Sequence, residues 1–244
     1  MNPLRSPLVA AGTLALILGV AASAFENRKN PLDDGTPIAS GWTATDRFSS
    51  MGALGPDTVR FTTGDTWRVR AEGDPHTLER LRFVVKDGRL LVGRHSGEAT
   101  KLPAAMVYVT APAISSATLA GSGTVAIDRL SGAEVSATVA GSGDMSIGKI
   151  DARSMSGRVA GSGDLTVSGR SAAANLVVAG SGRFAGQSFT ADTARAAVAG
   201  SGDVAFRSDG KVSATITGSG DVVVTGRASC SQKRIGSGAL RCGG

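Results

Sequence analysis

A tripeptide, Gly-Ser-Gly, constrains the fold more than any other feature, because it occurs seven times at steps of 18 to 20 residues. The first glycines of the copies are Gly121, Gly141, Gly161, Gly180, Gly200, Gly218 and Gly236. Self-similarity at such a period indicates a solenoid, in which each repeat is too small to bury its own apolar face and stacks on its neighbours. The sequence therefore predicts an elongated stack of similar coils.

The residues around each tripeptide align in columns that alternate between apolar and polar. The column two residues before the first glycine reads Leu119, Val139, Val159, Val178, Val198 and Ile216, and the column four residues after it reads Val125, Met145, Leu165, Phe184, Val204, Val222 and Leu240. This alternation predicts short strands with one buried face, separated by corners at the seven glycines. The predicted fold class is all-β, a parallel β-helix or β-solenoid with coils of about 20 residues, roughly 30 to 35 Å long.

Residues 46–112 lack the tripeptide and are predicted to be a strand-rich N-terminal portion of one domain over residues 46–244, with the repeats at 113–244. Alternation around Val59 and Val69 is typical of antiparallel strands. Asp74-Pro75 predicts the start of a short helix, and Asp87-Gly88 predicts a tight hairpin turn. Residues 25–45 have no periodicity and are predicted to be a linker.

The first 24 residues have the pattern of an export signal. Arg5 precedes an uncharged, largely apolar run over residues 6–25, and Ala22-Ser23-Ala24 fits the small-residue rule for signal-peptide cleavage. An uncleaved N-terminal anchor is the alternative, because the run has about the length that spans a bilayer. Both interpretations predict an exported protein, in the periplasm or on the outer surface of a bacterium, with membrane contact only through this segment if it stays uncleaved.

The two cysteines of the chain, Cys230 and Cys242, lie six residues before and six residues after Gly236. Both positions are apolar and predicted to point inward in the preceding coils. In an oxidising compartment we expect a disulfide between them that closes the last coil, because two thiols without a nearby histidine make a poor metal site.

Four aspartates follow the tripeptide directly and are predicted to share one edge of the stack: Asp144, Asp164, Asp203 and Asp221. They are weak calcium candidates, because the 20-residue period differs from the calcium-binding nonapeptide repeat and Arg183 interrupts the column. A solvated edge of turn-forming aspartates is the favoured interpretation. No metal or other cofactor is predicted.

No constellation of residues predicts catalysis. The serines of Gly-Ser-Gly recur in every copy, whereas a nucleophile needs one activated copy beside a base, and His76 and His95 are predicted to lie on the surface. A β-helical enzyme acting on polysaccharides is the alternative. The repeats contain neither Trp nor Tyr to stack on sugar rings, and Trp42, Trp67 and Tyr108 are expected to pack in the core or along strands.

The chain has a formal charge of +6, and its arginines are scattered singly rather than interleaved with aromatic residues. This pattern argues against nucleic-acid binding. It permits attraction to anionic polymers of the envelope.

The order of several short segments resembles the head GIN domain family, described as bacterial auto-transporter adhesins without an established biochemical activity. The segments are Phe48, the strand and turn from Val69 to Asp74, Leu78 and Leu81, Asp87-Gly88-Arg89-Leu90, Val107-Tyr108-Val109 with Pro112, and Leu119-Ala120-Gly121-Ser122-Gly123. The resemblance implies an exported, β-helical domain for which adhesion is proposed.

We therefore expect a structural or adhesin-like binding module of the envelope or surface, without catalytic activity. Its partner would be an envelope protein or polymer, and the chain would be a monomer or a weak homo-oligomer. The alternative to an adhesin-like role is a sensor or scaffold for an envelope signalling partner.

Overall fold

The computed structural model describes residues 30–97 and 101–243, and the export signal predicted at residues 1–24 lies outside them. Before the first Gly-Ser-Gly, the elements are β1 (Thr36–Pro37), β2 (Thr43–Ala44), β3 (Ser50–Leu54), β4 (Thr58–Thr63), β5 (Arg68–Glu72), α1 (Pro75–Arg80), β6 (Leu81–Lys86), β7 (Arg89–Arg94), β8 (Met106–Ala111) and β9 (Ser116–Gly121). The repeats form β10 (Thr124–Ile127), β11 (Leu130–Ser131), β12 (Glu134–Gly141), β13 (Asp144–Gly161), β14 (Asp164–Gly180), β15 (Arg183–Gly200), β16 (Asp203–Arg207), β17 (Lys211–Gly218), β18 (Val222–Thr225), β19 (Ser229–Ile235) and β20 (Leu240–Cys242).

The repeats stack as parallel strands, one coil on the next, which confirms the predicted β-solenoid. The first face of the stack is the sheet β7, β3, β9, β12, the C-terminal parts of β13 to β15, β17 and β19. The second face contains β5, β8, β4, β10, the N-terminal parts of β13 to β15, β16, β18 and β20. The register keeps equivalent residues opposite each other, as at Gly121↔Gly141 and Gly141↔Gly161.

The predicted inward columns form the core. Every residue from Leu119 to Ile216 in the first column is at most 2% exposed, and the second column is at most 1% exposed until Leu240 in the terminal coil, which is half-buried. Full burial of each such aliphatic side chain contributes about 1.5 to 3 kcal/mol. A large side chain in one coil packs against a small residue in another. The Phe184 ring lies against Gly157, where an added Cβ would be only 2.7 Å from its Cε2 atom.

The stack begins earlier than the tripeptides indicate. β3 pairs in register with β9, and β4 pairs in register with β10, so residues 50–63 continue the two faces. Gly55, with a φ of +103°, takes the corner position in the sequence Gly55-Pro56-Asp57. The antiparallel prediction at Val59 is wrong, since β4 is parallel to both β8 and β10. Alternating burial is common to both strand directions and so cannot distinguish them.

Antiparallel pairing does occur at the N-terminal end of the stack, where β5 pairs with β8 and β6 pairs with β7. The hairpin between β6 and β7 turns at Asp87 and Gly88, with φ angles of 51° and 69°, as predicted. The helix α1 starts as predicted too, because the Asp74 carboxylate accepts hydrogen bonds from the amides of His76 and Thr77. In the described ranges no helix has the length and apolar character needed to cross a membrane.

Residues 30–45 are part of the fold, which differs from the predicted linker. Leu32 and Ile38 are 1% and 3% exposed, β1 pairs with β6, and β2 pairs with β5. Two isolated apolar residues produce no detectable periodicity, so their burial could be seen only in three dimensions.

A disulfide joins Cys230 of β19 to Cys242 of β20, as predicted. The cysteines continue inward columns, since Cys230 lies opposite Val212 and Cys242 opposite Val224. The other inward positions of β19 carry exposed polar residues, Gln232 and Arg234. The covalent link therefore replaces apolar packing where stacking ends.

Replacing both cysteines by serine is expected to loosen the terminal coil selectively. Closing a loop of this size contributes about 3 kcal/mol on the chain-entropy model, and within the described chain β19 and β20 have a neighbouring strand on one side only. Hydrogen exchange measured by mass spectrometry should rise over residues 229–242 and stay unchanged over β12 to β14. Ser231→Ala, an exposed change on the same strand, is the control. Unchanged exchange at residues 229–242 would contradict the expected role of the bond.

Candidate binding face

The Gly-Ser-Gly corners are occupied by contacts between coils. The carbonyl oxygen of Gly161 accepts hydrogen bonds from the amides of Ser181 at 2.9 Å and Gly182 at 3.0 Å, and the same pair of bonds recurs in neighbouring coils. These amides are therefore unavailable to a phosphate group, which such a glycine-rich loop would otherwise bind. The corners act structurally and leave the serine side chains exposed.

The aspartate column is also used between coils. The carboxylate of Asp144 accepts the amide of Asp164 at 3.1 Å, Asp203 accepts the amide of Asp221 at 3.0 Å, and Asp221 accepts the amide of Ala239 at 2.8 Å. Arg183 lies 3.8 Å from the Asp164 carboxylate. These carboxylates thus cap backbone amides along one edge of the solenoid.

The side chains considered as metal ligands or catalytic groups do not form a cluster. Across residues 30–97 and 101–243, no three His, Cys, Asp or Glu side chains lie close enough together to hold a metal ion. His76 is exposed, with Glu79 as its neighbour at 3.9 Å, and His95 contacts the carbonyl oxygen of Ser96 at 2.6 Å. Among the described residues no hydrogen bond joins either histidine to a corner serine.

Asp221→Ala should lower the free energy of unfolding by about 1 kcal/mol, because the Ala239 amide loses its acceptor. Asp221→Asn should cost less, since its amide oxygen still accepts a hydrogen bond. Thermal melts should be the same with millimolar calcium and with a chelator. A calcium-dependent rise in melting temperature that disappears in Asp221→Ala would instead assign the column to a metal.

A continuous line of outward side chains runs along the second face. The strand register places its members side by side in the order Arg70, Tyr108, Arg60, Ala126, Ser146, Thr166, Ala185, Ala205, Val223 and Arg241. Adjacent strands lie about 4.8 Å apart, so the line is roughly 45 Å long. Its middle carries short side chains, and its N-terminal end carries large ones.

The large residues form a cluster that we call the Trp42 cluster: Trp42, Arg60, Arg70, Glu72 and Tyr108. The Arg70 guanidinium lies over both aromatic rings, 5.2 Å from the centroid of Trp42 and 4.1 Å from that of Tyr108. Arg70 also pairs with the Glu72 carboxylate, which accepts a hydrogen bond from the Tyr108 hydroxyl at 3.1 Å. These contacts hold four side chains in one arrangement at the surface.

The electrostatics of the cluster follow from these contacts. Hydrogen bonds from Arg70 and Tyr108 lower the pKa of Glu72. The carboxylate therefore favours its charged form and keeps Arg70 in place. Trp42 remains 45% exposed, and Arg60 is exposed beside Tyr108.

Sequence reasoning missed this cluster because it assigned Trp42 and Tyr108 to core or strand packing. Tyr108 alternates with buried Val107 and Val109, and Arg60 lies between buried Val59 and Phe61. That alternation would have placed both side chains outside. The position of Trp42 beside Arg70 depends on pairing between β2 and β5, which no sequence pattern reveals.

Comparison with known proteins identifies related domains. The family described as "Putative auto-transporter adhesin, head GIN domain" matches residues 47–228. A crystal structure described as a putative adhesin from Bacteroides fragilis aligns with a TM-score of 0.74 at 18% identity, covering 83% of this chain and 95% of that one. One from Parabacteroides distasonis, described as a putative lipid binding protein, aligns at 0.65 and 19% identity, covering 85% and 98%.

A further structure, described as a putative adhesin from Parabacteroides merdae, aligns with a TM-score of 0.67 at 16% identity, covering 83% of this chain and 94% of that one. At these identities the structures establish a shared fold. No curated protein matches the sequence. Because the family match extends over most of the chain, this protein belongs to the head GIN domain family of putative auto-transporter adhesins.

Proposed function

We propose that this protein is an exported binding module, without catalytic activity, that presents the second face of a rigid solenoid to a partner on the cell envelope or surface. The line of outward side chains from Arg70 to Arg241 carries this proposal. It combines an exposed aromatic cluster with a flat run of short side chains, a surface suited to an extended partner. The description of the family as putative adhesins also supports a binding function.

In the part of the chain that the structure describes, the coil interior and the corners offer no competing site. The inward columns are filled by aliphatic and aromatic side chains, and the corner amides are bonded to neighbouring coils. A polysaccharide-cleaving enzyme would need two carboxylates flanking a cleft. The aspartate column instead lies along an edge, with three of its carboxylates accepting backbone amides.

Binding of the purified full chain to intact cells and to envelope fractions tests this function. We expect saturable binding that is lost when the chain is heat-unfolded, and no release of reducing sugar ends from envelope polysaccharide. Absence of saturable binding would overturn the proposal. Release of reducing ends would favour the enzyme, and stoichiometric recovery of one envelope protein would favour the scaffold or sensor.

A further inference from the structure

We propose that the Trp42 cluster binds an acidic polysaccharide, with aromatic rings against the sugar faces and arginine against the sugar carboxylates. This inference rests on the proposed binding function and assigns it a site and a ligand class. The cluster lies at the N-terminal end of the second face, where the short side chains Ala126, Ser146 and Thr166 continue the line. A linear polymer can therefore extend along the stack from the cluster.

The aromatic residues supply the contact with the sugar ring. Pyranose rings present an apolar face of C–H groups, which packs on exposed aromatic rings, and Trp and Tyr combine such a surface with a polar atom. Trp42 and Ile235 are the large apolar residues exposed in the described part of the chain, and Ile235 is in the terminal coil, on the first face. Trp42 stands beside charged and hydroxyl groups that can bond to sugar hydroxyls.

Charge at the cluster favours an acidic sugar over a neutral one. Arg60 and Arg68 are exposed, and neither forms an ion pair with a described residue, whereas Arg70 is neutralised by Glu72. A carboxylate near Arg60, that of Asp128, accepts hydrogen bonds from the Thr63 amide and hydroxyl and from the Arg129 amide. A uronate carboxylate can thus pair with Arg60 through two parallel N–H donors.

The arrangement is held before any ligand arrives. Arg70 is fixed by two rings and a carboxylate, and the Tyr108 hydroxyl is fixed by the same carboxylate. Ordering of long side chains is a major cost of binding, so a cluster that is already ordered loses less entropy. This property favours a ligand that is itself weakly ordered, such as a polysaccharide.

Binding of the full chain to defined polymers tests the proposal. The acidic probes are polygalacturonate, alginate and hyaluronate, and the methyl ester of polygalacturonate keeps the same ring without the charge. We expect the chain to bind at least one acidic probe. If that probe is polygalacturonate, its methyl ester should bind about tenfold or more weakly. If it is one of the other two, neutral dextran should bind about tenfold or more weakly than that probe. Vesicles of phosphatidylcholine with phosphatidylglycerol test an anionic lipid surface.

Variants locate the site. Trp42→Ala and Arg60→Ala should each weaken binding about fivefold or more while leaving the melting temperature unchanged, since both side chains are exposed. Arg153→Ala and Ile235→Ala, which remove an exposed arginine and an exposed apolar residue outside the line, are the matched controls. Arg60→Ala and Arg153→Ala each remove one positive charge. A difference in affinity between them therefore reports the position of the arginine rather than the net charge.

Three results would overturn the proposal: no binding to any acidic polymer, equal binding to acidic and neutral polymers, or equal binding by the cluster variants and their controls. Vesicle binding with no polymer binding would assign the cluster to lipid. If Trp42→Ala still binds cells and envelope fractions as the unmodified chain does, the cluster is not the site and the proposed function stands. If the unmodified chain binds neither cells nor fractions, the function itself fails.

Discussion

Gly161→Ala is expected to lower the free energy of unfolding by about 4 kcal/mol and the melting temperature by about 10 °C. Gly161 has a φ of +123°, where a side chain is strained, and an added Cβ would lie 2.3 Å from the carbonyl oxygen of Gly141. That oxygen also accepts hydrogen bonds from the amides of Ser162 and Gly163. Relief of the clash would therefore separate two coils and lengthen both bonds.

Circular dichroism melts and urea titrations measure the effect, and two further variants separate its causes. Gly163 has no positive φ, but its Cβ would lie 2.1 Å from the Gly143 oxygen, so Gly163→Ala tests the steric clash without the dihedral strain. Ser162→Ala changes the exposed residue between them and should stay within about 0.5 kcal/mol of the unmodified chain. A melting temperature of Gly161→Ala equal to that of Ser162→Ala would refute the role of the corner glycine.

The repeat made the solenoid predictable from sequence because equivalent residues recur in columns. A single apolar residue such as Val159 is ambiguous, but six aliphatic residues at the same offset from Gly-Ser-Gly indicate a shared inward position. The same columns placed Cys230 and Cys242 on the inward side and so predicted the disulfide. Local chemistry was sufficient for the Asp74 cap and the Asp87-Gly88 turn.

The N-terminal portion was less predictable because its coil differs from the others. Gly55-Pro56-Asp57 takes the corner position without the Ser-Gly pair, so the tripeptide pattern does not include it. Pro56 has no amide hydrogen to donate at this corner, but the amide of Gly123 still bonds to the Gly55 oxygen at 2.9 Å. The first coil therefore preserves the geometry of the corner while losing its sequence.

The candidate site depends on contacts between segments distant in sequence. Trp42, Arg70 and Tyr108 belong to separate segments, and strand pairing brings them together. Alternation indicates only which side of a strand a residue occupies. The neighbour across the sheet is determined by register, and register in this portion is set by the fold of residues 30–112 as a whole.

The buried ion pair next to the first corner leads to a second large effect. Asp57 has a side chain only 3% exposed, and its carboxylate binds Arg94 through two hydrogen bonds, from Nε at 2.9 Å and from Nη2 at 2.6 Å. The same carboxylate accepts the Ala105 amide at 2.9 Å, and Arg94 donates to the Pro103 oxygen. This pair ties β7 and the segment before β8 to the corner on which the first repeat stacks.

The arginine of this pair should stay charged at every ordinary pH. Hydrogen bonding to Asp57 raises the pKa of Arg94. A group whose pKa is higher in the folded state contributes its full stabilisation below the pKa of the unfolded state, which for arginine lies above the ordinary pH range. Loss of the arginine charge therefore has to be tested by substitution rather than by titration.

Arg94→Ala is expected to lower the free energy of unfolding by about 3 to 5 kcal/mol, because it leaves the buried Asp57 carboxylate without its counter-ion. Arg94→Lys keeps the charge but not the two parallel donors, so its cost should be intermediate. Adding Asp57→Asn to Arg94→Ala should restore part of the stability, since the buried charge is then removed. Urea titrations of the variants, with exposed Arg153→Ala as control, measure the series. If Arg94→Ala unfolds like Arg153→Ala, or if Asp57→Asn makes it still less stable, the cost does not come from an uncompensated buried charge.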